Sequence, residues 1–288
     1  MHQEGRRDMN PILSIAVVNF NYGRFLEAAI RSVLDQNNPD VELVIADGGS
    51  TDNSIEVIQK YANKLGWWIS EPDKGQSDAF NKAFAHCRGK YLTWLNADDV
   101  MPKGCLERIV HELVAHSECE WFTGNMFRFT EDGRVFMCPW GPHSIPRAFQ
   151  TRRMPIAVYG PATIFSKSLF ERVGRMNVEK HYMMDTDLWM RFVTAGVRQR
   201  RINCFCWAFR MHEASKTAEF GEHEVAGERL KRFNAERAKS VAEIGYTPSA
   251  WIGWLIQFWR ILDGSLLKGF YLRHKYLGRS VSQLGVEI

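Results

Sequence analysis

No stretch of about 20 uninterrupted apolar residues occurs in this 288-residue chain, so nothing in it reads as a membrane span. The first eleven residues are polar and carry no apolar h-region, which points away from a signal peptide and towards a cytoplasmic address. Cysteine is sparse. The six, at positions 87, 105, 119, 138, 204 and 206, lack the dense spacing of a disulfide scaffold and read as reduced core residues. Cys204 and Cys206 are close, but two side chains on one strand face without a second Cys/His pair do not make a zinc site. With 22 Gly and 10 Pro the chain is not fibrous, and neither an internal repeat nor a low-complexity tract is visible. The surplus of 37 Lys and Arg over 33 Asp and Glu is too small for a general nucleic-acid coat.

What is present suits a packed enzyme-sized body. Hydrophobic residues make up 45% of the chain, aromatics 12% and charged residues 24%, enough to bury one large core or a catalytic domain with an appendage. The positive charge is local: from Arg229 to Ile288 there are ten Lys or Arg against four Asp or Glu. A basic tail on a slightly acidic body suggests an anionic surface as its partner.

The first hundred residues alternate short apolar runs with amphipathic ones, the pattern of βαβ units feeding a mostly parallel sheet. Ile15–Val18, Leu43–Ala46, Trp67–Ile69 and Tyr91–Leu95 read as strands. Helices are expected around Leu26, Ile30 and Val33, around Ile55, Ile58 and Tyr61, and over Gln76–Cys87. After Pro102 a helix carrying Leu106, Ile109 and Leu113 leads to a strand near Trp121–Thr123 and a β-rich stretch to about Cys138. Pro139–Pro161 holds five of the ten prolines and reads as loops able to wrap a substrate. A helix starting near Asp185 and a strand from Ile202 to Met211, delivering His212, follow.

Two strands end in carboxylates: Asp47 opens Asp47-Gly-Gly-Ser-Thr-Asp52, and Asn96-Ala-Asp-Asp99 closes the fourth strand. In open α/β sheets ligands bind beyond the carboxyl ends of the strands, so this placement points to a site. Asp98 and Asp99 form a hard oxygen pair of the kind that holds Mg²⁺ or Mn²⁺ while substrate phosphates complete the shell. Adjacent acids also make turns and helix caps, and it is Asp47 on a neighbouring strand that favours a nucleotide site. His212 could add a ligand or be a satisfied polar residue.

Ser14-Ile-Ala-Val-Val-Asn-Phe-Asn21, Arg31–Gln36, Val44–Asp52, Glu71–Asp78 and Trp94–Asp99, in that order, resemble the inverting glycosyltransferases of family 2. The resemblance continues through Gly160–Thr163, Ser168–Gly174 and Met184–Trp189 to Arg210–Ser215, covering roughly residues 12 to 217. It implies the single α/β nucleotide-sugar domain called GT-A, a Rossmann-like mixed sheet flanked by helices. By resemblance Asp47 accepts from the nucleotide base with Asn19 and Asn21 beside it, and Lys74 and Asp78 are further donor-site candidates. Asp78 is equally a helix N-terminal charge. Asp98 and Asp99 match the family's metal site, His212 a late His near the metal or diphosphate, and Asn96, where relatives have Asp, a ribose or water contact. Asp185 matches the catalytic base, with Asp187 its rival and Met184 standing where many relatives have Glu. Gly160 replaces a common Gln near the acceptor, which bears on specificity rather than on the transfer chemistry.

Trp251, Trp254, Leu255, Phe258, Ile261 and Leu262, followed by Phe270, Tyr271, Arg273, Lys275 and Arg279, make an amphipathic aromatic and basic segment. It could lie in a membrane interface, pack on the domain, or contact another copy in a homo-oligomer. The expected organisation is therefore a flexible N-terminus (1–11), a GT-A catalytic domain (12–225) and a helical C-terminal extension (226–288). The expected activity is metal-dependent inverting transfer from a nucleoside diphosphate sugar, UDP-linked by family habit, to a saccharide or lipid-linked acceptor in surface polysaccharide assembly. The expected place is the cytoplasm, with the extension at the inner face of the membrane. The competing readings are a degenerate nucleotide-sugar-binding subunit and a sugar nucleotidyltransferase, although Asn19–Gly23 lacks the basic phosphate loop of the latter.

Overall fold

The computed structural model describes residues 10–144, 158–213, 215, 224–244 and 250–287. The expected flexible N-terminus lies outside the described residues up to position 9, as do residues 145–157 of the proline-rich stretch.

Four parallel strands form one half of the sheet: β1 (Leu13–Asn19), β2 (Val41–Asp47), β3 (Trp67–Ser70) and β4 (Tyr91–Asn96). Its other half is mixed, with β5 (Trp121–Thr130), β6 (Val135–Met137), β7 (Thr163–Ser166) and β8 (Gln199–Met211). Among the described residues the order is β3-β2-β1-β4-β7-β5-β6, with β8 running parallel to β5. The GT-A expectation of a mixed sheet flanked by helices is met.

The near-continuous apolar run of β1 is explained by burial on both faces. Ile15 and Val17 pack with Leu26 and Ile30 of α1 (Gly23–Leu34) and with Ile58 of α2 (Ser54–Tyr61). That side of the core also takes Leu106 and Ile109 of α4 (Cys105–Ala115). Ala16 and Val18 face Phe80 and Phe84 of α3 (Gln76–Ala85) and Leu188 and Phe192 of α6 (Met184–Thr194). Burying a side chain of this size contributes about 1.5–3 kcal/mol, so these two faces carry most of the stability.

Three features differ from the sequence expectations. β7 and the short helix α5 (Lys167–Arg172) were not foreseen, being four and six residues long and too brief for a periodic pattern. β8 starts at Gln199, before its apolar run, because backbone pairing of Trp121 with Gln199 extends the ladder. The aromatic tail is broken by Gly264 (φ 74°), a left-handed conformation that suits glycine, into α8 (Ala250–Leu262) and α9 (Ser265–Tyr276). Leu272, Val281 and Val286 pack with Phe127, Phe129, Val135 and Trp140, so the end of the chain is docked on β5 and β6. A further helix, α7 (Glu224–Ile244), precedes them. Among the described residues no helix is long and apolar enough to cross a membrane.

Candidate active site

The strand ends expected to hold a ligand converge on one cavity of about 430 Å³, a size that suits a small ligand. Asn19, Asn96 and Asp98 line it from the ends of β1 and β4, Gly160 and Pro161 from the segment before β7, and Trp207 and Phe209 from β8. Asp185, in the first turn of α6, lines it from another element. Asp187 is buried and its Oδ2 receives Arg191 at 2.7 Å, so it does not line the cavity.

Asp98 meets His212 because of a single β-bridge. Val100 and Ala208 exchange backbone hydrogen bonds of 3.2 and 2.9 Å, drawing the loop after β4 onto the end of β8. His212 Nε2 then lies 3.0 Å from Asp98 Oδ2, with the ring seated against Tyr22 and Phe25. His212 Nδ1 is buried without a hydrogen-bond partner among the described residues. Burial, and then the charge of Asp98, raises the Tyr22 hydroxyl pKa above its ordinary value.

Asp99, expected to share a cation with Asp98, is turned inward. It is fully buried; Oδ1 accepts from the Arg210 backbone N–H at 2.9 Å and Oδ2 from Asn96 Nδ2 at 2.8 Å. Burial and the neighbouring Asp98 charge raise its pKa well above the carboxylate range. The turn after β4, closed by the Asp99 N–H on the Asn96 carbonyl at 3.1 Å, and the Val100–Ala208 bridge turn Asp99 into the body while Asp98 lines the cavity. Among the described residues no three His, Cys, Asp or Glu side chains converge as a cation-binding group. The carboxylate and imidazole of Asp98 and His212 remain a fitting donor pair for a divalent ion whose other ligands come from phosphate oxygens.

Asp47 sits just behind the cavity, 2% exposed and held from several sides. Its oxygens accept from Asn19 Nδ2 (2.7 Å), Ser50 Oγ (2.5 Å), Ser50 N (2.9 Å), Gly49 N (3.1 Å) and Ser70 Oγ (2.7 Å). Burial alone would raise its pKa, but the hydrogen bonds from Ser50, Ser70 and Asn19 outweigh it and hold the group below its ordinary value. Gly49 adopts φ 83° in this turn. Asn21 is placed beside the turn, its Oδ1 accepting from Thr51 N at 2.8 Å, and does not line the cavity. Lys74 is exposed, and Asp78 accepts from the Lys74 N–H at 3.0 Å, a helix-start role. From that segment the cavity is lined instead by Asp73, Gly75 and Gln76, with Gln76 Nε2 donating to Asn96 Oδ1 at 3.0 Å.

Sequence reasoning also missed Tyr182, Trp207, Phe209 and Phe233 as lining residues. Phe233 comes from α7, so the C-terminal extension contributes to the cavity wall. A Cβ on Gly160 would lie 3.4 Å from the Trp207 ring, so a longer side chain there would compete with that indole.

A parallel strand half carrying Asn19, Asp47 and Asp98 at its ends, joined to a mixed half carrying His212, defines a GT-A nucleotide-sugar transferase fold. The sequence matches the glycosyl transferase family 2 profile over residues 14–174, and the chain belongs to that family. It is 45% identical over 101 residues to the glycosyltransferase alr2836 of Nostoc sp., 34% of this chain and 31% of that protein. S. aureus TarS 1–349 in complex with UDP-GlcNAc superposes with a TM-score of 0.57 at 17% identity, covering 79% of this chain and 66% of the other. The mannosyltransferase PcManGT of Pyrobaculum calidifontis, in complex with GDP-Man and Mn²⁺, superposes at 0.56 and 14% identity, covering 88% and 81%. The chain spans less than half of the length of such curated relatives, at 31%, 46% and 44%.

Proposed function

We propose that the protein is an inverting glycosyltransferase that moves a sugar from a nucleoside diphosphate sugar to a hydroxyl of a saccharide or lipid-linked saccharide in surface polysaccharide assembly. The observation that carries this reading is that Asp98, held at 3.0 Å by the buried His212, and Asp185 line the same cavity from different elements. UDP is the donor base we favour, in keeping with the UDP-GlcNAc complex of TarS; the GDP-Man complex of PcManGT marks the alternative. Asp47, behind Asn19, is the acceptor we assign to the base, reached by side-chain adjustment of the Ser50 turn. Asn96 is assigned to the ribose edge. We read residues 12–225 as the catalytic unit and 226–288 as its extension, with α7 closing the cavity wall.

Asp98 and His212 would hold Mn²⁺ or Mg²⁺, which supplies positive charge for the departing diphosphate. Asp99 does not bind the ion in this reading but fixes the backbone on which Asp98 and Arg210 stand. Asp185 takes the proton of the acceptor hydroxyl as that oxygen bonds to the anomeric carbon from the side opposite the diphosphate. The bond from that carbon to the diphosphate oxygen breaks with its electron pair, so the nucleoside diphosphate leaves and the configuration inverts. Trp207 and Phe209 exclude water from the acceptor side, which limits hydrolysis.

The test is Asp185→Asn. Transfer should fall by about 10²–10⁴-fold, the usual range for losing a general base, while nucleotide affinity stays unchanged. Equal transfer by the variant would remove Asp185 from the mechanism. Thermal-shift titration with UDP, GDP and dTDP, each with and without Mn²⁺, assigns the base and the metal dependence. No stabilisation by any nucleotide would favour a degenerate subunit.

The outer face of α8 and α9 is the second element of the proposal. Trp254, Leu255, Phe258, Ile261 and Leu262 on α8 and Leu267, Phe270 and Tyr271 on α9 are exposed, beside Lys268, Arg273 and Lys275. We read this face as resting on an anionic bilayer at the inner side of the cytoplasmic membrane, where a lipid-linked acceptor would be met.

A further inference from the structure

Away from the donor cavity, three guanidinium groups gather on β5, β8 and α8. Arg201 Nη1 donates to Thr123 Oγ1 at 2.9 Å and Nη2 to Asn125 Oδ1 at 2.7 Å. Asn125 Oδ1 also accepts from Gly141 N at 2.8 Å, and the neighbouring Trp140 carbonyl accepts from Arg260 Nη2 at 2.8 Å. Arg128 lies 5.3 Å over the ring of Phe209, its register partner across β5 and β8 and itself a wall of the donor cavity. Tyr159, next to Gly160, feels all three charges: burial raises its pKa, and Arg201, Arg260 and Arg128 pull it back.

Among the described residues, Arg128 and Arg260 have no carboxylate hydrogen-bonded to them, and several buried donors around them lack acceptors. The chain carries no Asp or Glu between Asp132 and Glu171, on either side of Tyr159. Arg128 is half-buried, and its pKa is lowered by that burial with only Tyr159 acting against it. The hydrogen bonds of Arg260 run to Gln257 Oε1 and the Trp140 carbonyl, both neutral. Among the described residues the buried Nε atoms of Arg128 and Arg260, Nδ2 of Asn125 and Nε1 of Trp140 have no acceptor. Asn125 is fully buried and Trp140 is 7% exposed, so these N–H groups are withdrawn from bulk water. Burying guanidinium charge without a counter-ion is costly, and buried donors left without acceptors add to that cost. An oxyanion meets both deficits at once, because the planar guanidinium forks match phosphate oxygens in pairs.

We infer that Arg128, Arg201 and Arg260, with Asn125 and Trp140, form a subsite for a phosphate group of the acceptor, separated from the donor cavity by Phe209. The inference rests on the transferase reading and deepens it by naming the acceptor's chemical class. The phosphate could belong to a lipid phosphate or to a soluble phosphorylated saccharide. Arg260 stands on the helix whose outer face is apolar, so a lipid phosphate would enter where α8 meets the sheet.

The first measurement is calorimetric titration of inorganic phosphate into the full chain in EDTA, with and without saturating UDP. Phosphate should bind in both conditions. Arg128→Gln and Arg260→Gln should each weaken it by about tenfold or more, as expected on removing a charge-assisted hydrogen-bond donor. Arg128→Lys should retain part of the affinity, which separates charge from folding. UDP affinity should be the same in all three variants. Phosphate binding that is absent from the wild type, or equal in the Gln variants, overturns the subsite. Absence of UDP binding by the wild type in a separate titration with Mn²⁺ would instead count against the transferase reading, while the phosphate titration is still read on its own. Vesicles doped with a polyprenyl phosphate, compared with a soluble sugar phosphate, assign the source: Arg260→Gln should reduce capture of whichever one is the ligand, and an effect on neither overturns the acceptor assignment.

Discussion

Asp47 and Asp99 are both almost fully buried, yet their surroundings set them oppositely. Asp47 accepts five hydrogen bonds from Asn19, Gly49, Ser50 and Ser70 and stays ionised. Its depressed pKa means that its stabilisation is complete above the unfolded value of about 3.9 and is lost as pH falls through the native value. Asp47→Asn should therefore lower stability at pH 7 by about 1–3 kcal/mol, and the gap from wild type should narrow progressively as pH falls below about 4. Chemical denaturation at pH 7 and pH 3 measures this, and a gap of constant size would show that the carboxylate charge is not what the turn requires. Asp99 is legible in the sequence only as the second of two acids. Nothing in Asp98-Asp99 says which one turns inward; the Val100–Ala208 bridge and the Arg210 N–H decide it. Asn96 and Asp98 were readable because a strand end is a local feature, and Asn19 and Asp185 through the family resemblance. Trp207, Phe209 and Phe233 were not, since they reach the cavity only through pairing and packing over long sequence separations.

At the scale of elements, the start of α6 shows what sequence pattern leaves out. The helix itself was legible from Leu188 and Phe192, but its first turn is held by a residue about fifty positions later. Glu236 of α7 accepts from Met183 N at 2.8 Å and Tyr182 N at 3.0 Å, and Lys180 Nζ reaches Glu243 at 2.7 Å. A carboxylate at a helix N-terminus satisfies free N–H groups and complements the helix dipole. In a helix rich in Glu, Lys and Arg, one such acid has no distinguishing mark. Because Asp185 stands in that same first turn, Glu236→Ala should cost about 1–2 kcal/mol and also lower kcat, with a smaller effect on the donor KM. Glu236→Gln, which keeps an acceptor, should recover much of the loss. If thermal stability falls while kcat is unchanged, α7 supports the fold without positioning Asp185. The strands β1 to β4 were readable because two-sided burial leaves apolar runs, whereas β7 and α5 are too short to leave a period.

At the scale of the whole molecule, the tail meets one of the outcomes its sequence left open. Leu272, Val281 and Val286 pack on β5 and β6, so part of the aromatic segment is internal structure. Periodicity could show that the segment had an apolar stripe, but not that α8 and α9 together have more apolar surface than one sheet edge can cover. Trp254 is 78% exposed and Leu267 73%, and Phe258, Ile261 and Leu262 are exposed as well. Exposed apolar residues of this number mark an interaction site, and the neighbouring Lys268, Arg273 and Lys275 favour an anionic partner. Flotation with vesicles should therefore recover the wild type with anionic lipid and much less with zwitterionic lipid, and added salt should weaken the capture. Trp254→Ser combined with Phe258→Ser should abolish flotation without changing UDP affinity, because neither residue lines the donor cavity. Retained flotation would relocate the contact. A shift of the wild type, but not the double variant, to a larger species in lipid-free solution would identify this face as the contact between two copies. The membrane outcome would also orient the catalytic body, since α8 holds Arg260 on its inner side and the apolar residues on its outer side. A phosphate at the bilayer surface would then lie one side chain away from Phe209 and the donor cavity.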